Sequence, residues 1–193
     1  MSLPTIQRVV TGHSSEGHSI VTSNGPVPTV VELKGIPGMI FHEIWNTTET
    51  PAIIGNQGDP TLKPLKLEPP ENGSRIRFVD IPPDQSNVHI SETFKEGFAH
   101  IGAAAASTAH ANAPHPLMHR TKSVDYGIVI AGEITLILDS SEVPLKAGNV
   151  VVQRGTNHAW ANRGEKPCRM LFILIDGQYE HSVGEALKQL SNI

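Results

Sequence analysis

The sequence predicts an all-β fold, a single small barrel of short strands, on three observations. The first is the stretch 118–162, a train of β-branched and aliphatic runs: GIVIAG, EITLIL, VPL and VVVQ, separated by the breaks DSSE and KAGN. The second is composition. With 17 glycines, 15 prolines and 5% aromatic residues, the chain suits many turns and short strands and does not suit a helical bundle. The third is where the chemistry lies. His119, Thr121 and Asp125 precede the first run, and His158 and Asn162 follow the last. Hairpins that run out and back bring these two ends together, as a site at a barrel mouth requires.

Length and charge narrow the function classes. The 193 residues suffice for one domain with a core. The longest apolar runs, GIVIAG and MLFILI, fall far below the ~20 residues that cross a bilayer. MSLPTIQRVV turns polar too early for a signal peptide. The net charge of −4 is spread out, with no basic patch for nucleic acid. Cys168 is alone, so no intramolecular disulfide forms, and in PCRMLFILI it reads as a buried small hydrophobe. A cytoplasmic protein with a small-molecule partner is expected.

In order along the chain, residues 7–23 read as a hairpin, QRVVT and HSIVTS around the turn-rich GHSSEG, with His13 and His18 solvated beside the turn. NGPVP breaks the pattern. TVVELKG and GMIFHEIWNT then give two strands, the second bulky on both faces and so covered on both sides. His42 and Glu43 there read as paired structural residues, and Trp45 as packing at a barrel end or subunit contact. Pro51, Pro60, Pro64, Pro69 and Pro70 exclude long regular elements from 50–73. SRIRFVDIPP is a strand by alternation, with Ile76, Phe78 and Asp80 on one face and Arg75, Arg77 and Val79 on the other. The two arginines read first as solvent-facing charges on an outer strand; Arg77 is also a candidate to meet a substrate carbonyl or carboxylate.

Residues 84–116 read as a loop or lid, with a short helix open for the alanine run. Within it His100 and His110 read as surface residues. His115, four residues before His119, is a candidate substrate contact, substitute ligand or acid–base group. His119, Thr121 and Asp125 sit at even offsets, so one face of an unbroken strand carries all three; the alternative is that Asp125 caps a turn or pairs with Arg120 or Arg154. Tyr126 is a candidate proton donor, Trp160 a candidate pocket wall, and Asn162 a turn-fixing residue. RMLFILID is a last buried strand. SVGEALKQL has helical spacing, with Ser182 as its N-cap. The segmentation expected is a β extension packing on the barrel (1–83), the loop or lid (84–116), the barrel core (117–178) and a C-terminal helix (179–193).

The central stretch resembles the cupins. His119-x-Thr121-x3-Asp125-x6-Gly132 keeps the spacing of their first motif, and Gly148-x4-Gln153-x-Gly155-x2-His158-x3-Asn162 keeps the second with one residue deleted. Thr121 stands where metal-binding cupins carry a second His, Asp125 where they carry Glu, and Gln153 where the turn has Pro. RVVTGH, GMIFHEIWNT, MHRT, VDYG and VVVQRGTNHAW resemble, more narrowly, small cupin-domain oxidoreductases of fungal polyketide pathways, including salicylaldehyde-type ones. The resemblance implies a single RmlC-like jelly-roll barrel and a homodimer that exchanges N-terminal strands. It implies a tailoring enzyme on a polyketide-like carbonyl or alcohol, with His119, Asp125 and His158 holding a divalent metal. Fe2+ is favoured over Zn2+, Mn2+ or Ni2+. No G-x-G-x-x-G is present, so no nucleotide cofactor is expected. Two rivals stand beside this: a metal-free isomerase, dehydratase or cyclase using His119 or His158 as base with Asp125 or Tyr126, and a non-catalytic small-molecule-binding barrel.

Overall fold

The computed structural model describes residues 3–84, 99, 101–104, 106–110 and 112–190. Its strands are β1 (Gln7–His13), β2 (Ser19–Pro26), β3 (Thr29–Glu32), β4 (Ile40–Thr47), β5 (Ser74–Ile81), β6 (Ser123–Ala131), β7 (Glu133–Ile137), β8 (Glu142–Lys146), β9 (Val150–Arg154), β10 (Ala159–Ala161) and β11 (Cys168–Asp176), followed by helix α1 (His181–Leu190). β1 and β2 pair as the expected hairpin. The rest form two sheets, six strands in the order β3-β4-β5-β11-β6-β9 and three in the order β10-β7-β8. All pairs are antiparallel. This is a jelly-roll arrangement, with the core between the sheets.

Alternation decides which residues reach that core. Along β6 the buried positions are Ser123, Asp125, Gly127 and Val129, and on β11 Met170 and Leu174 face the same interior. β7 and β10 supply Ile134, Leu136 and Trp160 from the opposite sheet. The chain crosses between sheets at Gly132, whose φ of 84° suits glycine and whose missing side chain would stand 3.1 Å from the Cys168 Cα.

Two parts of the N-terminal half differ from expectation. Segment 1–83 does not only pack on the barrel: β3, β4 and β5 join its main sheet, with β5 central between β4 and β11. β5 is paired along both edges, to β4 and to β11, so its backbone groups are satisfied within the sheet. Its faces are also reversed. Arg75, Arg77, Val79 and Ile81 are the inward set, and Arg77 is only 1% exposed. The expected solvent-facing role of the arginines is therefore wrong. A counter-charge, Glu43 on β4, makes the inward placement tenable.

The proline-rich stretch has no regular element but is tied down. Asp59 accepts from Arg8 and from both the N–H and hydroxyl of Thr61. Arg75 Nε donates to the Glu68 carbonyl at 3.1 Å. Trp45 packs under the Arg8 guanidinium, 5.8 Å from its ring centroid. The described part of 84–116 goes inside rather than lying over the barrel: Ile101, Ala103 and Ala106 are core residues. His110 is exposed as expected, and the alanine run forms turns where described. His100 and residues 85–98 lie outside the described residues.

The second buried charge cluster is structural. Arg169 on β11 grips Asp80 through Nε at 2.6 Å and Nη2 at 2.7 Å, His42 meets the same carboxylate at 3.1 Å, and Arg169 Nη1 donates to the Pro4 carbonyl at 2.6 Å. Burial pushes the Asp80 carboxyl up, but the bonds from Arg169 and His42 outweigh it and hold the group below its ordinary value. Asp80→Ala is expected to cost about 3–5 kcal/mol, because it strands a buried guanidinium. A urea midpoint equal to that of the unmodified protein would show that the cluster contributes nothing.

α1 starts at His181, with its first intrahelical bond from Gly184 N–H to the Glu180 carbonyl at 2.9 Å. Glu180, not Ser182, is thus the cap residue. None of its described side chains is buried. No helix among the described residues is long and apolar enough to cross a membrane.

Candidate functional site

A cavity of about 90 Å³ lies between the two sheets. Its polar wall is Arg77, His119, Thr121, Asp125, Gln153 and His158, and its apolar wall includes Phe41, Ile101, Leu117, Trp160 and Phe172. Gly127 makes room for it: a Cβ there would stand 3.2 Å from Phe172 and 3.4 Å from Trp160. So the ends of the central stretch do meet.

His119 and His158 form an isolated antiparallel bridge, each N–H donating to the other's carbonyl at 2.9 Å. Their rings are 4.3 Å apart, and Trp160 sits edge-on to His158 at 5.7 Å. Turns aim both rings. Nδ1 of His119 bonds the Leu117 carbonyl at 2.9 Å, and Nδ1 of His158 bonds the Thr156 carbonyl at 3.0 Å. A carbonyl only accepts, so each Nδ1 carries the proton and each Nε2 carries the lone pair. Burial pushes both imidazoles down, His158 to about 3 with the neighbouring His119 adding to the effect. Both are neutral at physiological pH, and His158 is a weak base there.

This neutrality has a cost in acid. The unfolded imidazoles take up protons below about 6.5 that the folded ones refuse. Their contribution is complete above that value and is lost as pH falls, for His158 toward about 3. His158→Gln is expected to move the acid-unfolding midpoint to lower pH. An unmoved midpoint would locate the acid sensitivity elsewhere.

Asp125 is 5% exposed. Burial raises its carboxyl to about 6, against the Ser123 and Thr121 hydroxyls and the Arg77 charge, which lower it. One carboxylate oxygen, Oδ1, has no hydrogen-bond partner among the described residues. It neither caps a turn nor pairs with Arg120 or Arg154.

Arg77 is fixed from three sides. Nε lies 2.8 Å from Glu43 Oε1, Nη2 donates to the Lys66 carbonyl at 2.5 Å, and the guanidinium stacks 5.5 Å from the Phe41 ring centroid. Arg75 Nη1 takes the other Glu43 oxygen at 2.6 Å. Burial pulls Arg77 down to about 10, still a cation at neutral pH. Its Nη1 has no hydrogen-bond partner among the described residues. A buried donor left in that state costs about 1–3 kcal/mol.

Of the candidate residues, the cavity collects His119, Thr121, Asp125, His158, Trp160 and Arg77. Tyr126 is not among them. It is one residue from Asp125, so the pleat turns it to the outer face, where it is 39% exposed. His115 also stays off the cavity wall. Its Nδ1 accepts from the Leu117 N–H at 3.2 Å and its Nε2 lies 3.7 Å from Asp84. Neither suits the role expected of it. Asn162 fixes its turn, donating to the Ile81 and Lys166 carbonyls at 2.9 Å. Cys168 is buried and its thiol is pushed up to about 11, consistent with an inert packing role. Gln153 and Phe172 were not expected at the site. Gln153 sits opposite Asp125 in the β6–β9 register, and Phe172 opposite Gly127 in the β6–β11 register.

The metal expected here meets an incomplete ligand set. His119 and His158 have the tautomer and the backbone-held Nδ1 of metal-binding imidazoles. Asp125 does not join them: among the described residues no three His, Cys, Asp or Glu side chains stand together as ligands. Its short side chain is held by Ser123 and Thr121. The arrangement does not fit a two-His-one-carboxylate centre.

Comparison with known proteins gives the family. A family model described as a cupin domain matches residues 108–174. The chain is 34% identical over 184 residues to Phomopsin biosynthesis cluster protein C' of Diaporthe leptostromiformis, covering 91% of this chain and 81% of that protein. It is 35% identical over 179 residues to the cupin-domain-containing oxidoreductase virC of Hypocrea virens, covering 88% and 75%. A solved Schizosaccharomyces pombe cupin domain aligns with TM-score 0.43 at 10% identity, over 95% of this chain and 93% of that one. With relatives this similar over most of both lengths, and the two motifs meeting across one cavity, the chain belongs to the cupin superfamily.

Proposed function

We propose that the protein is a tailoring enzyme that moves a proton on a small, largely apolar substrate bearing a carbonyl or hydroxyl group. The observation that carries this is Asp125, a buried carboxyl on the cavity wall with one oxygen unbonded among the described residues and a proton affinity near neutral pH. A general acid or base works best when its pKa lies near the operating pH. Arg77, on the same wall, supplies the positive charge that a developing enolate or phenolate oxygen needs. His119 and His158, held neutral, offer hydrogen-bond contacts and Trp160 and Phe172 a flat apolar wall. Isomerisation, dehydration and cyclisation all begin with such a transfer.

The test is deuterium exchange. The protein is incubated in deuterated water with a panel of β-diketones and acyl phenols, and loss of the acidic C–H signals is followed by NMR. Exchange above background is expected, falling about 10²-fold or more in Asp125→Asn. No protein-dependent exchange with any member would sink the reading.

A second reading is a metal-dependent oxidoreductase, with Fe2+ held through His119 and His158. It is supported by the locked imidazole tautomers and by relatives named as cupin-domain oxidoreductases. Elemental analysis of the purified protein and of His119→Ala separates the two: iron retained by the first and lost from the second supports the metal, and exchange that survives chelation supports Asp125.

A further inference from the structure

The cavity holds an unmatched pair. Arg77 Nη1 is a buried donor and Asp125 Oδ1 a buried acceptor, and neither has a hydrogen-bond partner among the described residues. They are on strands β5 and β6, both neighbours of β11, and both residues line the same space. They feel each other's charge, since each shifts the other's protonation. Yet they are not bonded to each other. The cavity wall thus carries a buried cation with an unmet donor and a buried carboxyl with an unmet acceptor, not bonded to each other.

Each of the two groups is held by contacts of its own. The Arg77 guanidinium is drawn toward Glu43 and the Lys66 carbonyl, with Arg75 sharing Glu43. The Asp125 carboxylate is drawn toward the Ser123 and Thr121 hydroxyls. Direct contact between the two groups would compete with these contacts. A single group that meets both must accept from a guanidinium and donate to a carboxylate. A carbonyl or ether oxygen accepts only, a carboxylate is repelled by Asp125, and an ammonium by Arg77. A hydroxyl does both.

We propose that a substrate hydroxyl, phenolic or enolic, sits between Arg77 Nη1 and Asp125 Oδ1, accepting from the first and donating to the second. The apolar remainder of the molecule lies along Trp160 and Phe172. The step this permits is balanced within the site: the O–H bond breaks, its proton passes to Asp125, and the oxygen keeps the electron pair beside Arg77. This rests on Asp125 as the proton-transfer group, and it adds which substrate atom the group faces.

The experiment compares phenol with toluene, its near-isostere, by NMR titration of the whole protein. An apolar cavity alone favours toluene. A hydroxyl seat favours phenol by at least about tenfold, because toluene leaves both buried groups unpaired. The preference is expected to vanish in Arg77→Met and to persist in Asp125→Asn, whose amide oxygen still accepts. Should Arg77→Met fail to fold, the isostere comparison in the unmodified protein still decides. Toluene binding as well as phenol, no binding of either, or a phenol preference untouched by Arg77→Met would each overturn the seat. Loss of the phenol preference alongside Asp125-dependent exchange would overturn the seat alone. A phenol preference alongside exchange indifferent to Asp125→Asn would overturn only the proton-transfer reading.

Discussion

Glu43→Ala is expected to destabilise the protein by about 4 kcal/mol or more, because it strands two buried guanidinium groups where Asp80→Ala strands one. Glu43 is 2% exposed and is the shared partner of Arg75 and Arg77, both themselves buried. Removing it leaves those two cations facing each other in the interior without their anion. A domain of this kind has about 5–15 kcal/mol in total, so the variant is expected to stand close to unfolding at room temperature. Glu43→Gln keeps the shape and one acceptor and is expected to lose less. Urea unfolding of both variants checks the ordering. Equal losses would show that the negative charge alone, and neither the shape nor the remaining acceptor, makes Glu43 necessary.

Asp125→Asn is expected to move stability the other way. The folded carboxyl is raised from 3.8 to about 6, so its contribution is fully present below 3.8 and is lost as pH rises through about 6. A shift of that size is worth up to about 3 kcal/mol at about 1.4 kcal/mol per unit. Asparagine never ionises. The variant is therefore expected to be about 2 kcal/mol more stable than the unmodified protein above pH 6, with the advantage gone near pH 4. Unfolding curves at the two pH values measure this directly. A pH-independent difference would mean that the carboxyl titrates as an ordinary surface group. Gained stability together with lost exchange is the pattern of a residue kept for function at the expense of the fold.

How much of the molecule is legible in its sequence depends on what each inference needs. Strand positions need only alternation and turn residues, and these locate β1, β2, β4, β5, β6 and β11. The meeting of His119 and His158 needs only that hairpins return. Tyr126 does not belong with the site residues, and the same alternation already sets it opposite Asp125. The inward turn of Arg75 and Arg77 is not legible, because alternation separates two faces without saying which is inside. The deciding partner, Glu43, lies on another strand, placed by the β4–β5 register that sets Glu43 opposite Arg77. His115 misleads by its nearness in sequence, since its geometry is set by Asp84 and the Leu117 N–H. That Arg77 and Asp125 line one cavity depends on two registers at once, β5 with β11 and β11 with β6, and no local pattern encodes it.

The reciprocal amide bonds between His119 and His158 join main chains, not side chains. They act as a clasp that any residue except proline could form at either position. Side chains at the mouth of this barrel are thus interchangeable fittings on a frame that closes by itself. A change of side chain at His119 or His158 leaves these two main-chain bonds in place. New chemistry can then be tried here one side chain at a time, each trial beginning from a folded protein.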